Sequence, residues 1–145
     1  MIVLEVMTHA PACATPDMPL QEAARMMVDN NCGCIPVIDE AGSPVGVITD
    51  RDIVCRTVAL GDNPLEKAVK DAMTPGVVTV LQDASIEHAA TTLERNQIRR
   101  AVVVDENKRV VGIIAQADLA RRSEILGGEI VAAVSAPSIG PSSVH

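Results

Sequence analysis

Two groups of residues in this chain combine types and spacing that could do chemistry. The first is Gly46-Val47-Ile48-Thr49-Asp50-Arg51-Asp52, where an apolar strand runs into a helix start carrying a hydroxyl and two carboxylates. Thr49-x-x-Asp52 has the spacing of a capping box, in which the hydroxyl and the acid satisfy free backbone N–H groups. A near copy, Gly112-Ile113-Ile114-Ala115-Gln116-Ala117-Asp118, keeps the glycine and the last aspartate but loses the hydroxyl and the arginine. That asymmetry between the two copies is the main functional clue. The second group is Cys32-Gly33-Cys34, whose alternate residues share a face on a strand. A Cys-x-Cys pair without a second pair is a weak zinc signal, and small thiols also fill a core without ligating anything.

The bulk composition limits what these groups can serve. The chain has 145 residues, 48% hydrophobic, with no Phe, Tyr or Trp. That suits a packed globule built from aliphatic side chains, and any bound base must lie between them because no ring is available to stack on it. A net charge of −7 argues against a protein that tracks nucleic-acid phosphates, which needs clustered cations. No apolar run has the length of a membrane span, and Met1-Ile2-Val3-Leu4-Glu5-Val6 lacks the basic segment of a signal peptide. A cytoplasmic protein with its four cysteines reduced is expected.

The elements that position the two groups come in duplicate. Sliding the sequence on itself by 66 residues aligns Val3–Arg56 with Val69–Arg122, with fifteen identities in fifty-four positions, against about three or four by chance. Among them are Met7/Met73, Thr8/Thr74, Asp39/Asp105, Gly46/Gly112, Asp52/Asp118 and Arg56/Arg122. One structural unit therefore occurs twice. Each copy starts with a lead ending in Met-Thr. A strand follows, clear in Val77-Val78-Thr79-Val80 and weak in Ala12-Cys13-Ala14-Thr15. The first helix carries Leu20, Ala23, Ala24 and Met27, or Ile86, Ala89, Ala90 and Leu93, on one face, with Pro19 in its first turn. Strands Ile35–Ile38 and Val45–Ile48, or Ala101–Val104 and Val110–Ile114, form a hairpin whose turn uses Asp39 and Gly42, or Asp105 and Asn107-Lys108. A second helix runs from about Asp50 to Ala59, and from about Gln116 to Ile125. Each unit is β-α-β-β-α, so the fold class is α+β. The first motif spans 1–62, a linker 63–68, the second motif 69–124, and 125–145 reads as a tail, partly flexible.

The ordered set of Met-Thr leads, Ala-Ala helices, Ile-Pro-Val-Ile-Asp and Val-Val-Val-Asp strands, and Val-Gly-Val-Ile-Thr-Asp-Arg-Asp and Val-Gly-Ile-Ile-Ala-Gln-Ala-Asp corners resembles a tandem pair of cystathionine-beta-synthase (CBS) motifs, a Bateman module, over residues 1–124. The resemblance implies two three-stranded sheets packed with pseudo-twofold symmetry, two clefts between the repeats, homodimers, and a regulatory rather than enzymatic role. Ligands in such modules are adenosine-containing: AMP, ADP, ATP or S-adenosylmethionine.

On that pattern one cleft takes Thr49, Arg51 and Asp52 with Val77, Val78, Ile98, Arg99 and Arg100. Asp52 would hold a ribose diol, Thr49 would donate to ribose or phosphate, and Arg100, beside Arg99, would meet phosphate. Val77, Val78 and Ile98 would cover the adenine. Taken alone, Arg99-Arg100 is equally a solvated pair at a helix exit. The second, weaker cleft takes Ala115 and Asp118 with Cys13 and Cys34, where both arginine positions are replaced. The resemblance also places Cys13 near Cys32 and Cys34, the one candidate metal or redox set. With no catalytic domain in the 145 residues, the expected action is on a separate, unidentified partner protein. The alternatives are a cysteine-based sensor and a structural dimerisation domain.

Overall fold

The computed structural model describes residues 1–126, and these divide into two compact units: Pro11–Val77, and Met1–Ala10 together with the chain from Val78 onward. The expected tail lies, from residue 127, outside the described residues.

In the unit Pro11–Val77, helix α1 (Leu20–Asp29) follows a short strand Thr8–His9, β1, that belongs to the other unit. Hairpin strands β2 (Cys34–Ile38) and β3 (Pro44–Thr49) come next, then helix α2 (Asp50–Arg56), a short helix α3 (Val69–Ala72) and strand β4 (Thr74–Pro75). The sheet order is β2-β3-β4, all antiparallel. Leu20, Ala23 and Met27 of α1 are buried with Ile35, Val37, Ile48, Val69 and Ala72, the helical and alternating spacings that bury one face of each element.

The expected strand at Ala12–Thr15 shrinks to one parallel bridge, Ala14 to Val37. Pro11 and Pro16 flank it and have no N–H to give a ladder. Helix α2 stops at Arg56, short of the expected Ala59, because Thr57 leaves helical geometry and turns its buried hydroxyl onto the Ile53 carbonyl. A 3-10 turn, Val58–Leu60, follows and closes on Gly61 at φ 81°. Pro19 stands just before α1 rather than inside its first turn. The linker is ordered: the Asn63 side chain caps a 3-10 turn at Pro64–Glu66, and the Lys67 carbonyl accepts from the Leu20 amide at 2.9 Å.

The second unit carries β5 (Thr79–Leu81), α4 (Ile86–Arg95), β6 (Arg100–Val104), β7 (Val110–Ala115) and α5 (Gln116–Leu126). Its sheet order is β1-β7-β6-β5, with only β5 and β6 parallel. Val77 and Val78 precede β5 rather than forming it, although the Val78 carbonyl still accepts from the Val102 amide at 3.2 Å. Ile86, Ala89, Ala90 and Leu93 of α4 are buried with Ile114 and Leu119. Leu119 and Met27 are thus core residues, while Val54 on α2 is exposed.

The repeat is visible in detail, with one reassignment. Thr8 pairs with Ile113 on β7, and Thr74 with Val47 on β3. Each Met-Thr lead therefore joins the sheet built by the other copy: the expected three-stranded sheet of the second copy becomes four-stranded with β1, while in β2-β3-β4 the lead β4 makes the third strand and Ala14 contributes only its bridge. Both hairpin turns use the same device. Asp39 accepts from the amides of Ala41 and Ser43, both at 2.9 Å, and Asp105 from those of Asn107 and Arg109 at 2.8 and 3.0 Å.

Candidate functional site

Each unit presents one strand-to-helix corner with an acid held in the first helical turn. At the first, Thr49 is extended (φ −118°, ψ 161°) and ends β3. Its hydroxyl accepts from the Asp52 amide at 3.0 Å, and the Asp52 Oδ2 accepts from the Thr49 amide at 3.0 Å. The capping box is therefore closed on both sides, and one carboxylate oxygen is committed to it. The other oxygen, Oδ1, is 3.5 Å from the Thr74 hydroxyl and 3.8 Å from Arg56 Nε. Both contacts are long for a carboxylate, whose O–H donors normally approach to about 2.5–2.7 Å. The side chain of Asp52 is 15% exposed, so it reaches the surface without being freely solvated.

Cys34 is the register partner of Thr49 on the β2–β3 ladder. The Gly33 carbonyl accepts from the Asp50 amide at 3.0 Å, and a β-carbon at Gly33 would stand 3.0 Å from the Asp50 carboxylate. Strand entry and helix entry are thus packed backbone to backbone. Arg51 is exposed on α2, and Val77 is half-buried at the end of the unit. Cys13 donates its thiol to the Pro11 carbonyl at 3.4 Å, and burial raises its pKa above the usual thiol range, which disfavours the thiolate needed for nucleophilic or metal chemistry. Cys32 is exposed and Cys34 half-buried. Among the described residues no group of three or more His, Cys, Asp or Glu side chains is arranged to hold a metal ion.

At the second corner, Asp118 Oδ2 accepts from the Ala115 amide at 2.9 Å. The acid half of the cap thus survives without the hydroxyl half. Its Oδ1 is paired with Arg121, and its side chain is 11% exposed. Arg100 is the register partner of Ala115, and the Gln116 amide donates to the Arg99 carbonyl at 2.8 Å. Ile98, Arg99 and Arg100 are all half-buried, with Ile98 packed on the core.

The structure thus brings Thr49, Arg51, Asp52, Val77, Cys13, Cys32 and Cys34 into one unit, and Val78, Ile98, Arg99, Arg100 and Asp118 into the other. Within a unit, the arginine pair neighbours Ala115 and the cysteine pair neighbours Thr49. Two residues at the first acid, Arg56 and Thr74, have no place in the sequence-derived site. Their signal was the repeat itself, since both belong to the identical pairs.

A duplicated α+β unit with a lead exchanged into each sheet and a capped acid at each corner defines a tandem-repeat module. The chain belongs to the CBS domain family, whose profile matches residues 3–56 and 69–124. It is 39% identical over 118 residues to the CBS domain-containing protein YhcV of Bacillus subtilis, covering 81% of this chain and 82% of that one. It is also 32% identical over 128 residues, 88% of this chain, to L-aspartate semialdehyde sulfurtransferase of Methanocaldococcus jannaschii, of whose length it spans 24%.

Three solved structures are similar over nearly their whole length. The CBS domain pair of protein MJ0100, in complex with 5′-methylthioadenosine and S-adenosyl-L-methionine, superposes with a TM-score of 0.73 at 30% identity over 84% of this chain and 98% of that one. CBSX2 in complex with AMP gives 0.72 at 28%, over 86% and 97%. Hypoxic Response Protein I with two coordinated zinc ions gives 0.74 at 29%, over 83% and 98%. No helix among the described residues is long and apolar enough to cross a membrane.

Proposed function

We propose that this chain is a non-catalytic sensing module that binds an adenine nucleotide or a related adenosine compound and reports its occupancy to a partner protein as a homodimer. Asp52 is the ribose acceptor in this reading. The observation that carries it is the state of that carboxylate: one oxygen is fixed by the cap, while the other meets only contacts of 3.5 and 3.8 Å, so a diol can take it without breaking the helix start. Solved relatives in complex with AMP and with 5′-methylthioadenosine and S-adenosyl-L-methionine support the ligand class. Thr49, Arg51, Val77, Val78 and Ile98 complete the proposed ligand contacts, with Arg99 and Arg100 as the phosphate-binding pair. The exposed Val54, Val58 and Leu60 offer apolar surface for the dimer.

Calorimetric titration with AMP, ADP, ATP, S-adenosylmethionine and 5′-methylthioadenosine tests the reading. Asp52→Asn, which keeps an oxygen for the cap, is expected to weaken every ligand by about tenfold or more, the loss of one charged hydrogen-bond acceptor. Arg100→Ala is expected to weaken the phosphate-bearing ligands and to spare 5′-methylthioadenosine. Absence of heat for all five at millimolar concentration sinks the reading.

A cysteine-held metal is the second reading, favoured by the relative solved with two coordinated zinc ions. The Cys13 thiol, tied to a carbonyl and raised in pKa, weighs against it. Elemental analysis of protein purified without chelator is expected to give no stoichiometric zinc. Zinc that disappears in a Cys13→Ser/Cys34→Ser variant would reverse the order of the two readings.

A further inference from the structure

Arg56 touches both the candidate ribose acid and the lead strand, and Asp52, Met73 and Thr74 all lie with it in the unit Pro11–Val77. Its Nη1 donates to the Met73 carbonyl at 3.0 Å, its Nη2 reaches the Thr74 hydroxyl at 3.4 Å, and its Nε stands 3.8 Å from Asp52 Oδ1. The Thr74 hydroxyl in turn donates to the same Oδ1 at 3.5 Å. A guanidinium-to-hydroxyl-to-carboxylate chain therefore runs from the last residue of α2 through the lead to the first turn of α2.

The strengths along this chain are unequal. The bond to the Met73 carbonyl has ordinary length, whereas the ion pair to Asp52 is partly exposed, with Arg56 at 46%, and pairs of that kind contribute little. The lead is also short, since β4 has two residues, paired to β3 at Gly46–Pro75 and Val47–Thr74. The firm contact fixes the arginine on the lead, and the weak ones meet the acid where they are easily exchanged.

We propose that Arg56 is a positioning residue that ties Asp52 to the Met73–Thr74 lead, so that a vicinal diol taking Oδ1 displaces the Thr74 hydroxyl and loosens the lead. Occupancy is thereby passed to the segment that follows the linker between the repeats. This rests on the assignment of Asp52 as the ribose acceptor, and it adds what the acid is coupled to. A ligand shifts an equilibrium only through differential contacts with its two states. Here the two states differ in which donor holds Oδ1.

The test is amide hydrogen exchange read by NMR on the 145-residue protein, with Arg56→Met and Arg56→Lys. The Thr49 amide reports the cap, the Gly76 amide, bonded to the Val45 carbonyl at 3.3 Å, reports the lead, and the Ile38 amide, bonded to the Ala14 carbonyl at 2.8 Å, reports the sheet. Without ligand, Arg56→Met is expected to speed Thr49 and Gly76 by about fivefold and leave Ile38 unchanged, with Arg56→Lys in between.

Adding 5′-methylthioadenosine to the wild type is expected to speed Gly76, and Arg56→Met is expected to abolish that response. If the wild type binds the compound but Gly76 does not respond, the coupling is overturned while the ribose assignment stands. If the wild type binds nothing, the ribose assignment fails and with it the diol step. The tie itself is then decided by the ligand-free rates, and Thr49 and Gly76 exchanging at wild-type rates in Arg56→Met overturn it.

Discussion

Gly46→Ala is expected to lower stability by about 1–3 kcal/mol, the usual cost of forcing atoms into a filled space, with the upper end favoured by what the new methyl meets. A β-carbon at Gly46 would stand 2.6 Å from the Thr74 carbonyl oxygen and 3.3 Å from the Met73 sulfur. A sulfur can swing away, but the carbonyl belongs to the β4 backbone and no rotamer moves it. Relief therefore requires the lead to lift from β3, which gives up the Gly46–Pro75 and Val47–Thr74 pairing.

The repeat supplies an internal control. At Gly112 the added carbon would collide with the Met7 sulfur and lie 2.8 Å from the Thr8 carbonyl oxygen, so Gly112→Ala is expected to fall in the same range. Thermal unfolding of the two variants beside the wild type measures both, and melting temperatures within a degree of wild type would mean that the leads are not seated as described. In Gly46→Ala the displaced lead also carries Thr74 away from Asp52, which removes the hydroxyl that a diol must displace from Oδ1, so ligand affinity should rise even as stability falls. Gly112→Ala, whose lead serves the other corner, should lose stability with less effect on Asp52.

These glycines also mark where the sequence stops being legible. The two amphipathic helices, the hairpins and their Asp39 and Asp105 turns all follow from local periodicity and turn chemistry, and the structure has them within a few residues. The leads do not announce their partners. Thr8–His9 and Thr74–Pro75 are two residues each, too short to carry a period, and nothing local distinguishes pairing with the nearer β3 or β7 from pairing with the other.

The corner was half legible for a related reason. Thr49-x-x-Asp52 satisfies the capping rule, and the cap does form, but the rule accounts for one carboxylate oxygen and says nothing of the second. What faces that oxygen is Arg56, which in sequence is an ordinary cation in the last turn of a helix, and Thr74, which is 22 residues away. Only the folded lead brings them together. The cysteines illustrate the converse. Their spacing is suggestive, yet Cys13 spends its thiol proton on a neighbouring carbonyl.

Deleting residues 1–10 should have the largest effect of all, and in the copy that a linear reading would not choose. The segment contributes Val3, fully buried, and Met7, 6% exposed, to the core that holds Ile86, Leu93, Ile114 and Leu119, and it supplies β1 to the edge of β7. Burial of a Val or Met side chain is worth roughly 1.5–3 kcal/mol. Losing both, together with the backbone bonds from the Val3 and Leu4 amides to the Ala84 and Gln82 carbonyls at 2.9 Å, removes a large part of the 5–15 kcal/mol that holds a typical domain folded. The unit Pro11–Val77 loses none of its own core, which draws instead on Val69 and Ala72 from the second lead. Hydrogen exchange on the truncated chain is therefore expected to show protection collapsing at β6 and β7, in the C-terminal repeat, while β2 and β3 next to the deletion remain protected. Collapse confined to β2 and β3 would contradict the exchange of leads, because it would mean that residues 1–10 support the repeat they begin.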